Sequence, residues 1–424
     1  MDTIFALSSG QPPAAIAIVR ISGARAIDAL ASLGAGEPVP RRASLASLHH
    51  PGIGELLDRA LILWFPGPAS ATGEDLAELH LHGGRAVIAG IIGALSSLEG
   101  LRLAEPGEFT RRAFANGRID LSEAEGLADL LLAETESQRR AALALAGGSL
   151  SRMVDAWQRR LLALSARIEA SLDFSDEGEV GDDLPLGWRE EVRALAASIG
   201  AALSCPPLER LRDGVRVVAA GPPNAGKSTL INALAGREAA IVSAVPGTTR
   251  DVIEVPVAIG GVPFLLSDTA GLRDADDEVE AIGVERARAA LGAADVVLWL
   301  GDPSLTPDPA RTIIVAAKAD LDGPGQGDVQ VSALTGRGMD LLRTMLLTRA
   351  SELLPREGEV AVNARHRACL EQARQGLNEA IAITDPLVLA ELLRGARTSL
   401  DRVTGRAGVE DMLDTLFGGL CIGK

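Results

Sequence analysis

One octapeptide restricts what this chain can fold into more than any other stretch. Residues 221–228 read Gly-Pro-Pro-Asn-Ala-Gly-Lys-Ser, the G-x-x-x-x-G-K-S pattern of a phosphate-binding loop. Residues 215–220 before it are apolar and β-branched and predict a buried strand, and residues 229–235 after it have helical apolar spacing. In a strand, loop and helix arrangement, backbone N–H groups and the positive helix end converge on phosphate oxygens. The sequence therefore predicts a nucleotide site here.

The polar residues of this loop have expected tasks. Lys227 is expected to reach the β- and γ-phosphates, and Ser228 is expected to ligate Mg²⁺. The remaining predicted nucleotide contacts of the loop and the first helical turn are Asn224, Ala225, Gly226 and Thr229.

Two downstream motifs predict the γ-phosphate end of the site. Residues 247–251, Gly-Thr-Thr-Arg-Asp, lie where a switch loop closes over the γ-phosphate, and Thr249 offers a hydroxyl to Mg²⁺. Residues 264–271 predict a strand that ends in Asp-Thr-Ala-Gly. Asp268 is expected to hold the Mg²⁺ shell, and the N–H of Gly271 to meet the γ-phosphate.

Two further motifs favour guanine over adenine. Residues 313–320, Ile-Ile-Val-Ala-Ala-Lys-Ala-Asp, resemble a strand followed by the N-K-x-D guanine motif, with Ala317 in place of asparagine. The carboxylate of Asp320 can accept two N–H bonds that guanine supplies and adenine lacks, and an unpaired site carboxylate rejects the wrong base. Residues 332–334, Ser-Ala-Leu, resemble the loop that contacts the guanine O6 atom.

The usual water-orienting residue of such enzymes is absent from the pattern. Ras-like enzymes have a glutamine directly after D-x-x-G, whereas this chain has Leu272. The acidic segment that follows offers a substitute carboxylate, and the pattern does not choose among Asp274, Asp276, Asp277, Glu278 and Glu280. Arg250 is a candidate for stabilising transition-state charge, with a switch salt bridge as its alternative role. Asn224 offers an oxygen to a monovalent cation.

Composition limits the class of partner and the compartment. The chain has 424 residues, enough for two to three domains, and 47% of them are hydrophobic. A net charge of −16 argues against tight nucleic-acid binding through charge alone. The three cysteines, Cys205, Cys369 and Cys421, suit a reducing compartment without structural disulfides. No basic leader and no membrane-length apolar run are evident, so we expect no membrane association and a cytoplasmic location.

The fold class predicted along the chain is α/β and α. Residues 1–118 mix strands (14–21 and 59–65) with helices (25–33 and 86–98) and predict a small α+β domain. Residues 119–212 are helical, with a capping box at 122–125 and a break at Gly147-Gly148. Residues 213–354 alternate strands and helices, which predicts a Ras-like P-loop domain with a mostly parallel sheet. Residues 355–424 are helical again, so the nucleotide domain is expected to be inserted into a helical domain.

Together these residues resemble the MnmE/TrmE family of tRNA-modifying GTPases over the whole chain. The terminal Cys-Ile-Gly-Lys is a mark of that family. The other motifs that carry the resemblance occupy residues 20–23, 64–68, 72–75, 106–109, 221–228, 232–241, 247–251 and 268–273.

The resemblance implies an N-terminal domain that dimerises and binds a reduced folate, either 5,10-methylenetetrahydrofolate or 5-formyltetrahydrofolate. The positions matching its folate-binding residues are Arg20, Glu78, Arg118 and Lys424. Arg118 stands where a lysine is common, so the charge is kept with a different geometry. Cys421 matches the C-terminal cysteine of the family and is a candidate functional thiol.

The resemblance also implies a GTPase activated by K⁺. The matching ion positions are Asn224, Ser243, Val245 and Thr248, and Glu280 matches the carboxylate that orients water. The nucleotide contacts expected beyond the phosphate loop are Ser243, Thr248, Thr249, Asp268, Thr269, Ala270, Gly271, Lys318, Asp320, Ser332 and Ala333.

The implied activity adds a carboxymethylaminomethyl or aminomethyl group to the wobble uridine of certain tRNAs. The implied assembly is a homodimer that joins a flavin-dependent partner, MnmG, in a heterotetramer or larger complex. An alternative is a GTP switch in ribosome or particle assembly, and a third is a folate-dependent transferase of small-molecule metabolism. Neither alternative needs all of Arg20, Glu78, the C-terminal tail and the inserted nucleotide domain together.

Overall fold

The computed structural model divides the chain into two compact units, Met1–Ala128 with Asp401–Lys424, and Asp129–Leu400. The structure describes residues 2–173, 184, 186–236, 254–268, 288–321, 325–356, 358–407, 413, 416–418, 420 and 423. Among the helices in these ranges, none is long and apolar enough to cross a membrane.

The first unit is built on a six-stranded sheet with the order β3-β4-β5-β2-β1-β6. Its strands are β1 (Thr3–Leu7), β2 (Ile16–Ser22), β3 (Ser44–His49), β4 (Leu56–Phe65), β5 (Leu76–His82) and β6 (Leu101–Leu103). Neighbouring strands are antiparallel except for β1 and β6. The helices that begin in this unit are α1 (Ala26–Ser32), α2 (Arg85–Ser96), α3 (Glu108–Ala115) and α4 (Leu121–Leu132).

The two faces of this sheet differ because side chains alternate along each strand. One face packs against α1 and α2. The core between them includes Phe5, Val19 and Leu79 of the sheet and Ile91 of α2. The other face carries Arg20 on β2, directly paired in register with Glu78 on β5. The period-two pattern therefore brings these two charged residues of neighbouring strands side by side.

The start of α4 corrects a detail of the sequence analysis. The capping box lies at Asp120 and Glu123, not at residues 122–125. The N–H of Glu123 donates to Asp120 Oδ1 at 3.0 Å, and the N–H of Asp120 donates to Glu123 Oε2 at 2.8 Å. Ser122 is fully buried inside the first turn, so it cannot cap from outside the helix.

The remaining helices whose bounds lie in the described ranges belong to the second unit. They are α5 (Glu136–Ala146), α6 (Ser149–Asp173), α7 (Trp188–Leu203), α8 (Leu208–Asp213), α9 (Lys227–Ala235), α10 (Met339–Leu353), α11 (Ala364–Ala382) and α12 (Pro386–Thr404). The helical path is interrupted between α5 and α6 at Gly147-Gly148, where Gly148 has a φ of 76°. Leu161, Leu164 and Ile168 are buried along one face of α6, as their spacing predicts.

The second sheet has the order β12-β11-β10-β7-β9-β8. Its strands are β7 (Val215–Ala220), β8 (Glu254–Ile259), β9 (Val262–Asp268), β10 (Val296–Trp299), β11 (Thr312–Ala316) and β12 (Val329–Gln330). Only the β8–β9 pair is antiparallel. The mostly parallel α/β sheet predicted from the sequence is therefore confirmed, and β7 lies at its centre.

The chain enters and leaves this sheet at neighbouring points. The N–H of Leu208 donates to the carbonyl of Val362 at 3.2 Å. The N–H of Ala364 donates to the carboxylate of Glu209 at 2.6 Å. The helices before β7 therefore meet the helices after α10, which is the arrangement expected of an inserted nucleotide domain.

Candidate functional site

The phosphate loop joins the carboxyl end of β7 to the start of α9. Its backbone needs glycine at both ends, because Gly221 and Gly226 have φ angles of 146° and 99°. A Cβ atom at Gly221 would lie 2.9 Å from the carbonyl carbon of Leu300, so a side chain there would collide with β10's outgoing backbone. The central strand and these two glycines thus set the path of the loop.

Lys227 is held inside this loop. Its side chain is buried, and Nζ donates to the carbonyls of Pro222 at 2.9 Å and Gly221 at 3.2 Å. The ammonium group therefore lies inside the loop, at the N-terminus of α9. The phosphate-binding task of Lys227 stays a prediction.

The two predicted Mg²⁺ residues of the described ranges are in contact. Ser228 Oγ donates a hydrogen bond to Asp268 Oδ2. Asp268 is the last residue of β9, and β9 runs parallel to β7 with Asp268 opposite Ala219. A hydroxyl and a carboxylate at adjacent strand ends are hard oxygen donors of the kind that Mg²⁺ prefers.

The guanine motif lies beside the phosphate loop. Lys318 has a φ of 60°, and its Nζ donates to the carbonyl of Asn224 at 2.9 Å. Asn224 itself has a φ of 58°, so two residues in left-handed backbone conformations are tied together. This bond means that Lys318 braces the phosphate loop in addition to the nucleotide contact predicted for it.

Ala317 points toward the same loop. A Cβ atom at Gly226 would lie 3.8 Å from the Cβ of Ala317. An asparagine at position 317 would therefore have its amide next to the loop, whereas the alanine methyl has no polar group to offer. The hydrogen bond that supports the loop from this motif therefore comes from Lys318.

Asp320 is exposed at the open end of the site. A hydrogen bond from the buried Ser332 hydroxyl lowers the pKa of the Asp320 carboxyl, and nearby Lys318 lowers it further. Asp320 is therefore a carboxylate at neutral pH, the form that accepts hydrogen bonds. Leu334, two residues after Ser332 in the predicted guanine-contacting loop, is largely exposed.

Many predicted site residues lie outside the described residues, and their roles stay predictions. They are Ser243, Val245, Thr248, Thr249, Arg250, Thr269, Ala270, Gly271, Glu280, Cys421 and Lys424.

The charged face of the first sheet brings two of the predicted folate residues together. Arg20 donates to Glu78 Oε1 from Nε at 3.1 Å and from Nη2 at 2.8 Å. His80 Nε2 lies 3.4 Å from the other oxygen of Glu78, and the Arg20 guanidinium lies 5.9 Å from the centre of the Phe109 ring. The predicted folate residues do not include His80 or Phe109, although the alternation of residues 76–82 places His80 on the face of Glu78.

The side chain of Arg118, a third predicted folate residue, packs against the turn at Gly73. A Cβ atom at Gly73 would lie 3.2 Å from Cγ of Arg118 and 2.7 Å from Cβ of Asn116. Its aliphatic stem thus lies against the turn that contains Gly73, which has a φ of 79°.

The C-terminal tail reaches the first sheet of its own chain. Ser8 Oγ donates to the carbonyl of Gly423 at 2.8 Å. A Cβ atom at Gly423 would lie 2.1 Å from the carbonyl oxygen of Leu7, so only glycine fits this approach. Lys424, a predicted folate residue, directly follows Gly423, which contacts the N-terminal domain of the same chain.

These features define a class of protein. A phosphate loop closed on a buried lysine, a serine–aspartate pair and a guanine-type aspartate, all at the carboxyl edge of a parallel sheet, are the parts of a P-loop GTPase.

Comparisons with known proteins then give the family. Residues 3–118 match the model of the GTP-binding protein TrmE N-terminus, and residues 121–421 match the MnmE helical domain. The tRNA modification GTPase MnmE of Rhizorhabdus wittichii is 60% identical over 428 residues, covering 100% of this chain and 97% of that protein. Its counterpart from Novosphingobium aromaticivorans is 57% identical over 435 residues and covers 100% of both chains. The chain belongs to the MnmE family of tRNA modification GTPases.

A comparison of structures adds little to this assignment. The G domain of the T. maritima FeoB iron transporter is 25% identical, and the match covers 32% of this chain and 98% of that one. Its TM-score of 0.22 is too low to establish a shared fold.

Proposed function

We propose that this protein hydrolyses GTP in a cycle that depends on Mg²⁺ and K⁺ and that drives modification of the wobble uridine of certain tRNAs. The observation that supports the GTPase step most strongly is the contact between Ser228 and Asp268 beside the buried Lys227. Bound Mg²⁺ would neutralise charge on the β- and γ-phosphates, and Ser228 and Asp268 are the described residues that would hold it, with Thr249.

The chain's own residues orient the nucleotide in this proposal. Lys227 Nζ, held by two loop carbonyls, lies along the phosphate path and stabilises charge that develops during transfer. Asp320, kept ionised by Ser332, accepts two hydrogen bonds from guanine. The further contacts assigned to nucleotide binding are Ala225, Gly226, Thr229, Thr269, Ala270, Gly271 and Ala333.

For the attacking water we assign orientation to Glu280, because Leu272 has no polar group. Arg250 is assigned to transition-state charge. K⁺ would add a fixed positive charge, held by Asn224, Ser243, Val245 and Thr248. Asn224 is the one of these four residues that the structure describes. Its carbonyl accepts a hydrogen bond from Lys318, which fixes its position in the loop and supports the assignment.

For the one-carbon unit we assign a reduced folate, 5,10-methylenetetrahydrofolate or 5-formyltetrahydrofolate, to the face that carries Arg20 and Glu78. A carboxylate and a guanidinium beside the Phe109 ring suit a flat heterocycle with donors and acceptors on its edge. Arg118 and Lys424 are assigned to the same site. The close contact of Gly423 with Leu7 supports this assignment of Lys424, because it brings the C-terminal tail to the N-terminal domain. Cys421, in the same tail, is proposed as a functional thiol.

For the assembly we propose a homodimer through the first sheet. Ile16, Leu45 and Leu61 are large apolar residues that are exposed on the face that carries Arg20. Exposed apolar residues that continue across neighbouring strands mark interaction surfaces. The flavin-dependent partner, MnmG, would join this dimer in a heterotetramer or larger complex.

The charge balance supports a division of labour with that partner. A chain of net charge −16 has few cations to spare for phosphates, so the partner would supply most of the tRNA-binding surface. Cys205 and Cys369 are not joined in a disulfide, which suits a reducing compartment, and we place the reaction in the cytoplasm. Burial and the neighbouring Glu359 carboxylate raise the pKa of Cys205 to about 11, so this thiol stays protonated.

The test is mass spectrometry of tRNA nucleosides from a strain that lacks this protein. The modified wobble uridine should disappear and should return with the natural chain. Arg20→Ala should fail to restore it while the purified variant still hydrolyses GTP, because Arg20 lies in the first unit and the phosphate loop in the second. Normal modification in the deletion strain would refute the tRNA role. Deleting residues 421–424 should have the effect of Arg20→Ala, and loss of hydrolysis as well would make the tail structural.

A further inference from the structure

We propose that Ser137 and Gln138, at the N-terminus of α5, are positioning residues for the GTPase reaction. They act at the starts of β7 and β9, the two strands whose other ends carry the nucleotide site. This inference rests on the proposed GTPase activity. It concerns residues that no motif of the sequence singles out and that lie at the opposite ends of the strands from the phosphate loop.

Ser137 holds the turn between β8 and β9. Its backbone N–H and its hydroxyl both donate to the carbonyl of Gly261, at 3.2 and 3.0 Å. Gly260 and Gly261 form this turn with φ angles of 56° and 78°. On the other side of the turn, a Cβ atom at Gly260 would lie 2.9 Å from Leu347 on α10. The turn is therefore enclosed between α5 and α10.

Gln138 holds the start of β7 through α8. Its Nε2 donates to the carbonyls of Leu211 at 3.1 Å and Arg212 at 3.0 Å, in the last turn before β7 begins. Its Oε1 accepts from the N–H of Thr135 at 2.9 Å as part of a capping box. Both ends of the amide are bonded, which fixes the side chain in one orientation.

These two anchors act on neighbouring parallel strands. In the β7–β9 pair, Val217 lies opposite Leu266, so the two strands begin at the same edge and end at the same edge. At the carboxyl edge of the sheet, β7 continues into the phosphate loop and β9 ends at Asp268. A strand changes little in length, so a displacement at its start is transmitted to its end. The spacing of Ser228 and Asp268 thus depends on both anchors.

The hairpin also lies, along the chain, between the two motifs predicted to form the γ-phosphate end of the site. β8 follows residues 247–251 along the chain, and β9 leads directly into residues 268–271. The turn that Ser137 holds therefore belongs to the hairpin that lies between these two motifs in the chain. The hydroxyl of Ser137 is not needed to cap α5, because Thr135 and Gln138 already form the capping box. Its bond to Gly261 therefore serves the hairpin.

The experiment compares Ser137→Ala, Ser137→Thr and the control Arg139→Ala in the full chain. Arg139 lies on α5 and pairs with Glu136 at the surface, so its loss leaves the hairpin anchor intact. We measure single-turnover GTP hydrolysis, KM, melting temperature, and hydrogen exchange of α5 and residues 254–268 with GDP and with a non-hydrolysable GTP analogue. Ser137→Cys, similar in size but a weak donor, replaces the alanine variant if that one does not fold.

We expect Ser137→Ala to lower kcat by roughly 3- to 10-fold, the effect of about one hydrogen bond, with KM nearly unchanged. Nucleotide-dependent exchange in α5 should appear in the natural chain, disappear in Ser137→Ala and return in Ser137→Thr. A Ser137→Ala variant that behaves like Arg139→Ala, or a natural chain whose α5 exchange ignores the nucleotide, overturns the inference alone. A natural chain that does not hydrolyse GTP overturns the proposed function and this inference with it.

Discussion

Arg112 donates hydrogen bonds to two largely buried carboxylates at once, from Nη1 to Glu74 at 3.0 Å and from Nη2 to Glu108 at 2.9 Å. All three side chains are largely buried, and Glu74 also accepts from the hydroxyl of Ser22 at 2.8 Å. The network ties the end of β2, the loop before β5 and the first turn of α3 into one body. It supports the strands that carry Arg20 and Glu78.

The first prediction concerns this arginine. Arg112→Ala should lower the free energy of unfolding by about 3–5 kcal/mol, because it leaves the largely buried Glu74 carboxylate without its cation and removes one of the two arginines that hold Glu108. The measurement is urea denaturation followed by circular dichroism, with Arg85→Ala at the exposed start of α2 as the control. A loss no larger than that of the control would show that the carboxylates find other partners.

The second prediction concerns pH. Burial raises the pKa of the Glu108 carboxyl, but hydrogen bonds from Arg102, the Glu105 N–H and Arg112 outweigh burial and leave the pKa below its usual value. A lowered folded-state pKa adds stability that is complete above the unfolded pKa and is lost as pH falls through the folded pKa. The free energy of unfolding should therefore decrease as pH drops below about 4.5, the region of unfolded glutamate.

Glu108→Gln supplies the comparison for this pH dependence. It removes the titrating group and should flatten the acid limb of the stability curve, at the cost of lower stability at neutral pH. Equal slopes for the variant and the natural chain would assign the acid sensitivity to other carboxylates, of which Asp2 also has a lowered pKa through Arg102.

The third prediction concerns the brace of the phosphate loop. Lys318→Met should weaken GTP binding by about tenfold or more, since a hydrogen bond from a charged donor contributes about 1.5–3 kcal/mol. Ala317→Asn should tighten GTP, because position 317 lies next to Gly226. In the Ala317→Asn background the cost of Lys318→Met should shrink. Titration with a fluorescent GDP or GTP derivative measures all four proteins, and unchanged affinity in Ala317→Asn would mean that Lys318 alone already holds the loop.

The fourth prediction concerns the base. Asp320→Asn should weaken GTP and favour the xanthine nucleotide, because the exchanged amide can donate to the carbonyl that replaces the guanine amino group. Competition binding with GTP, XTP and ATP checks the order. Equal competition by ATP and GTP for the natural chain would refute the assignment of Asp320.

The sequence predicts the parts of the site that are local. The buried run of β7 and the glycines of the loop follow from residues adjacent in the chain, and the order of motifs predicts the Ser228–Asp268 pair. It does not predict that Ser137 bonds Gly261 or that Gly423 packs on Leu7, because both partners are distant in sequence. Periodicity reports which face of an element is buried, and it does not report which carbonyl a distant side chain meets. The start of α4 was misplaced by a similar ambiguity, since both Asp120 and Ser122 precede a glutamate by three residues.

The last prediction concerns hydrolysis itself. Leu272 cannot orient water, so Glu280→Ala should reduce the rate by a factor of about 100 or more, within the range of a general base, while GTP binding changes little. K⁺ should raise the rate over Na⁺, because a loop of carbonyl oxygens replaces the shell of the larger ion at less cost. Asn224→Ala should remove this K⁺ dependence and leave a low rate in both salts. The checks are single-turnover rates in KCl and NaCl at equal ionic strength. Equal rates in both salts would take the cation out of the mechanism, and a fully active Glu280→Ala would return the role to a carboxylate of residues 274–278.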